Sequence, residues 1–174
     1  MVCFGYDGAP TTAAHITHFT TTDATGNPDD LVVTFEVSDI THNSAYVTTT
    51  PSVGTYYFTF YTEAENFDLL VDEYGTVDAC VAYLANSEID YGAEWFECSR
   101  AEYLYDLGAS LGKERNFYNQ LEPITEYVAY AIAVDLQTGE LASERGFVSE
   151  PFRTLEKVVS DASVSIELGN YYDG

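Results

Sequence analysis

Three sets of side chains have the types and spacing for chemistry. Tyr91, Trp95, Phe96, Tyr103 and Tyr105 crowd one stretch. Exposed, such rings form a stacking platform for sugar faces, with neighbouring acids to bind hydroxyls. Buried, they glue helices to a sheet, the usual fate of large aromatics. Tyr91, Trp95, Phe96 and Tyr103 are the residues expected to meet a glycan if the first case holds. In Asp23-x-x-x-Asn27-x-Asp29-Asp30 hard oxygen ligands gather as calcium prefers. The EF-hand spacing is absent, and an ordinary acidic linker has the same composition. Cys80 and Cys98 can pair in an exported protein, with Cys3 left over; three buried free thiols are the alternative.

Other chemistries lack support. His15 and His18 stand three apart on a strand-like stretch, so they point to opposite faces and do not share a zinc ion. Carboxylates such as Asp72, Glu73, Asp78, Glu94 and Glu97 are plentiful, but nothing singles out a pair held across a cleft. No Gly-x-Ser-x-Gly, Walker or dinucleotide glycine pattern occurs. No catalytic residue is therefore assigned, and calcium is the only cofactor the residues suggest.

The elements that must position these groups are mostly strands. Residues 1 to 21 read as a hairpin, with Asp7-Gly-Ala-Pro10 as its turn, and residues 22 to 30 as a polar linker. Leu31 to Val37, Ser44 to Thr50 and Tyr56 to Tyr61 follow as strands, the second stopped by Pro51. The period then changes. Val77, Cys80, Val81 and Leu84 mark one amphipathic helix. Ser99-Arg-Ala-Glu102 is a capping box that opens a second, carrying Leu104, Leu107 and Leu111. A two-helix insertion over about 65 to 112 is thus predicted, and its apolar stripes must cover a sheet edge or face. Strands resume at Arg115 to Gln120, Tyr127 to Val134 and, after the turn Asp135 to Gly139, up to Thr154.

A hairpin-and-strand pattern recurs about one domain length apart: Gly5 to Thr21 matches Ala133 to Thr154, and Val33 to Val37 matches Val164 to Leu168. The chain is therefore expected to hold one sandwich, residues 31 to 154, after the last hairpin of a preceding repeat. Residues 155 to 174 then form a connector and the first strand of a following repeat. Met1-Val-Cys-Phe-Gly5 reads as mid-strand, as in a piece cut from a longer protein.

Totals exclude several partners. Twenty-nine acidic against six basic residues give a formal charge of −23, which repels nucleic-acid phosphates and anionic lipid headgroups. No apolar run reaches the roughly 18 residues a membrane span needs, and no export signal follows Met1. With 46% hydrophobic and 15% aromatic residues, the chain can build a core.

At Leu121-x-Pro123-x-Thr125-x-Tyr127 the chain resembles the fibronectin type III family, where such a run forms a tyrosine corner before a buried strand. More closely, the ensemble is similar to sandwich repeats of Bacteroidetes surface lipoproteins. It comprises a strand ending near Asp39-Ile-Thr41, then Ala45-x-Val47-x-x-x-Pro51, Tyr56-Tyr57, an insertion, the corner, Asp135-x-x-Thr-Gly-Glu140 and Phe152-x-Thr154. Trp95, the only tryptophan, lies in the insertion rather than in an early strand. The resemblance implies a mainly β, fibronectin III/Ig-like antiparallel β-sandwich. It also implies an exported, cell-surface module that spaces, adheres or captures glycans, with neighbouring repeats or subunits as partners; incomplete sandwiches at both ends would expose strand edges for another chain to pair with, as in a filament.

Overall fold

The computed structural model describes residues 26 to 158. The expected terminal hairpin (1 to 21), the strand after residue 161, Cys3, His15, His18 and Asp23 lie outside them. A single 3-10 turn, Pro28–Asp30, leads into β1, Val33–Ser38. β2 (Ser44–Pro51), β3 (Tyr56–Glu63), β4 (Ala109–Leu111), β5 (Glu114–Asn119), β6 (Glu126–Val134), β7 (Leu141–Val148) and the short β8 (Phe152–Arg153) complete the sheets. One sheet runs β1-β2-β5, the other β4-β3-β6-β7 with β8 on β6, and every pairing is antiparallel. Consecutive strands thus divide between two facing sheets, the arrangement of a fibronectin III-like or Ig-like sandwich.

β6 explains the layering. All its residues from Tyr127 to Val134 are buried, so it reads as an unbroken apolar run. Tyr127, Ala129, Ala131 and Ala133 face the other sheet, packing with Ala45, Val47, Leu31 and Val33. Val128, Tyr130, Ile132 and Val134 face the opposite way, onto Phe67, Val81, Leu84 and Ile89 of the insertion. Apart from Tyr127, alanines line the sheet-to-sheet side of β6, and large residues the helical side. Each large side chain buried there contributes about 1.5–3 kcal/mol. The insertion therefore covers a face of the five-stranded sheet, making a third layer.

The corner forms as its sequence suggests. The backbone N–H of Glu122 donates to the Tyr127 hydroxyl at 2.9 Å, with Leu121 and Tyr127 both buried. Thr154 closes the bend by donating its hydroxyl to Glu122 O at 2.6 Å and accepting from Thr125 N–H at 3.0 Å. Within it Ile124 has φ +59°, a left-handed conformation that costs a β-branched residue free energy and that these bonds hold.

The insertion departs from expectation in its parts. It holds α1 (Ala64–Tyr74), α2 (Val77–Trp95) and a one-turn α3 (Arg100–Tyr103), followed by a π-turn over Leu104–Gly108. The second expected helix stops early because Ala109–Leu111 pair with Tyr56–Phe58 as β4, so Leu111 belongs to a strand. In its place α1 supplies a full helix, with Phe67, Leu70 and Val71 at i, i+3 and i+4 against the core. The expected Cys80–Cys98 disulfide is corrected as well. Both are free thiols, one near each end of α2, and the intervening helix separates them by on the order of 20 Å, far beyond disulfide reach.

Candidate functional site

The site is built on one stripe of α2. The helix is capped by Thr76, whose hydroxyl accepts from Ala79 N–H at 3.1 Å. Its buried stripe of Val81, Leu84 and Ala85 continues into Glu88, Tyr91, Gly92 and Trp95 at i, i+3, i+4 and i+7. Along this part of the helix Ile89, Gly92 and Ala93 stay buried, while Tyr91 and Trp95 project into solvent. Glu97, in the left-handed conformation at φ +54°, ends the helix, and Cys98 N–H donates back to Ala93 O at 3.0 Å. The chain turns there and returns through α3 alongside the helix.

α3 is fixed at both ends. Ser99 and Glu102 form the expected capping box: Ser99 N–H donates to Glu102 Oε2 at 2.9 Å, and Glu102 N–H donates to Ser99 Oγ at 3.3 Å. These bonds hold the Glu102 carboxyl below its ordinary pKa. Arg100 clamps three segments together, donating to Gly139 O at 2.9 Å, Asp90 Oδ1 at 2.7 Å and Asn86 Oδ1. Gly139, at φ +77°, lets the β6–β7 turn come this close, since a Cβ there would lie 2.6 Å from Ala101 N. Tyr103 is thereby laid flat on the helix. Its ring occupies the space beside Gly92, where a Cβ would meet Tyr103 Cζ at 2.3 Å.

The result is a groove of about 260 Å³ walled by Tyr91, Trp95, Phe96 and Tyr103, with Glu88, Gly92 and Phe60 as its base. Tyr91 and Trp95 tilt together at 6.1 Å between ring centroids, and Phe96 stacks on Tyr103 at 6.2 Å. Tyr91 is 61% exposed, Trp95 69% and Phe96 55%, while Tyr103 is half-buried. The glue role therefore fails for the first three, which project outward. The structure brings together all four residues expected to meet a glycan; Tyr105 is exposed and lines a different hollow, beside Val134 and Leu136. Sequence reasoning missed Glu88, Gly92 and Phe60. The helical spacing of Glu88, Tyr91, Gly92 and Trp95 was the available signal.

Glu88 gives the groove its electrostatics. It is half-buried, and burial raises its carboxyl pKa above the ordinary value. Among the described residues it joins no ion pair: those that form are Arg100 with Asp90 and Glu140, and Arg115 with Asp39. Tyr103 and Tyr130 have phenol pKa values raised first by burial and next by the charge of Glu88.

None of the other candidates among the described residues lines the groove. Asn27 Oδ1 accepts from Asp29 N–H at 3.3 Å and caps the Pro28–Asp30 turn, while Asp29 and Asp30 are exposed. Among the described residues no group of three His, Cys, Asp or Glu is placed to hold a metal ion. Asp72, Glu73, Glu94 and Glu97 are exposed on helix surfaces or turns. A larger hollow, about 910 Å³, lies where β7 meets the start of α2; two of its polar groups are engaged, Thr76 in capping the helix and Asp78 in accepting from Gly146 N–H at 3.0 Å. Cys80 donates its thiol weakly to Phe67 O at 3.8 Å, and burial raises its pKa.

No protein-family model and no curated protein sequence matches the chain. Among solved structures it is similar to the sensor domain of the anti-sigma factor RsgI4 in Pseudobacteroides cellulosolvens. There the identity is 12% and the TM-score 0.38, over 78% of this chain and 99% of that one. A solution structure of that sensor domain gives 13% and 0.36, over 81% and 92%. Domains A168-A170 from titin give 17% and 0.36, over 74% of this chain and 32% of that one. The sandwich itself rests on the strand order and pairing above. No helix among the described residues is long and apolar enough to cross a membrane.

Proposed function

We propose that the chain is a non-enzymatic structural and adhesive module of an exported, cell-surface protein, in which the sandwich is a stiff spacer and the insertion presents a binding surface. The observation that carries this reading is the groove: exposed rings of Tyr91, Trp95 and Phe96 set on a helix that is itself clamped to the sheet. Large aromatics left in water in one cluster favour a partner that covers them. The narrower reading is a carbohydrate-binding module, because adjacent aromatic faces beside a carboxylate suit the apolar face and the hydroxyls of a sugar ring. The formal charge of −23 supports an aqueous, non-nucleic-acid setting.

A glycan array probed with the wild type and Trp95→Ala tests the binding role. Binding to at least one saccharide that vanishes in the variant is expected; silence across the array removes the glycan reading. The tandem and filament aspects of the proposal rest on the sequence repeat, and a parent protein carrying a single copy fused to a catalytic domain would defeat them. A calcium ion at Asp23, Asn27, Asp29 and Asp30 belongs to the same proposal as a stiffener between repeats. A melting temperature that a chelator leaves unchanged dismisses it.

A further inference from the structure

We infer that the groove selects a cationic saccharide, an amino sugar with its amine free, seating the ammonium on Glu88 and the ring face on Trp95 and Tyr91. This deepens the glycan reading and rests on it. Glu88 is half-buried at the base of the groove and unpaired among the described residues, and an uncompensated carboxylate in a partly dry site is costly.

No Lys or Arg among the described residues lines the groove, and the two that form ion pairs do so elsewhere. Arg100 is spent on Asp90, Asn86 and Gly139. Arg115 lies 3.6 Å over the Tyr46 ring and bonds Asp39, and Arg145 lies 5.0 Å from the centroid of Phe147. The missing partner is therefore expected from outside. Aromatic faces are themselves negative and attract ammonium groups, so the walls and the base favour the same ligand charge. A primary ammonium also offers N–H donors to the carboxylate, which a neutral sugar matches only with weaker hydroxyl bonds. At about 260 Å³ the groove falls near the lower end for small-molecule sites, fitting one ring with its neighbours outside.

The test is calorimetric titration with a matched pair, a glucosamine trimer with free amines and its fully N-acetylated counterpart. Wild type, Glu88→Gln and Trp95→Ala are compared, each first shown to melt cooperatively. The free-amine trimer should bind about tenfold more tightly to the wild type, as expected for a desolvated ion pair. In Glu88→Gln the two trimers should bind alike, and in Trp95→Ala neither should bind. Equal affinity of the two trimers for the wild type overturns the amine assignment while leaving glycan capture standing. Binding of neither overturns both. An unchanged free-amine preference in Glu88→Gln assigns the selectivity to the diffuse negative charge of the chain and overturns the role of Glu88. A trilysine peptide that binds as tightly as the free-amine trimer, and with the same dependence on Trp95, overturns the saccharide assignment.

Discussion

Tyr127 holds its bend through one hydroxyl, accepting from Glu122 N–H at 2.9 Å. Tyr127→Phe keeps the buried ring and removes only that acceptor, so chemical denaturation should show a loss of about 1–2 kcal/mol. Glu88 is expected to behave in the opposite way. Its pKa is raised in the folded state, so folding favours the protonated form, and its ionisation weakens the fold as pH rises through the folded value. Glu88→Gln should therefore raise the melting temperature at neutral pH and lose that advantage in acid, below the ordinary carboxylate pKa. Equal melting at neutral pH would mean that the carboxylate is compensated after all. Glu102 has the reverse sign: its pKa is lowered by Ser99, so its capping contribution is present at neutral pH and is lost as pH falls through the folded value.

Among the elements, the short α3 matters beyond its length because it carries Tyr103 into the groove. Arg100 is the link between α3, α2 and the β6–β7 turn, with its side chain only 22% exposed. Arg100→Ala should cost about 2 kcal/mol in denaturation, the range for losing several bonds to one partly buried charge. It should also weaken ligand binding by loosening Tyr103; full-strength binding would show that α3 is held by packing alone. α2, for its part, keeps the two described thiols apart. Timed labelling of native protein should modify Cys98 quickly and Cys80 only on unfolding.

The elements differ in how clearly the sequence announces them. Tyr127 to Val134 and the Leu121–Tyr127 bend were legible because strand period, Pro123 and the phenol all agree locally. Helix α1 was not, since its Phe67, Leu70 and Val71 stripe is embedded among acids and follows a strand without a side-chain cap at Glu63. The helix expected through Leu111 gave way to strand pairing with Tyr56–Phe58, a long-range choice that local spacing does not encode. The aromatics could be named but not placed, because exposure depends on how α2 and α3 pack on each other and on the sheet, which local spacing does not encode.

For the whole molecule, β6 is sealed by the opposite sheet on one side and by helices on the other. That three-layer build gives the groove a rigid footing, so capture should require little rearrangement. Trp95 is the sole tryptophan and lies 69% exposed in the groove, so emission excited where tyrosine does not absorb reports on this site alone. Titrating the native protein with the free-amine glucosamine trimer while following that emission and its acrylamide quenching is the most direct measurement. A saturable blue shift with protection from the quencher is expected. Emission and quenching that stay constant to saturating saccharide would contradict a role for the groove in glycan capture.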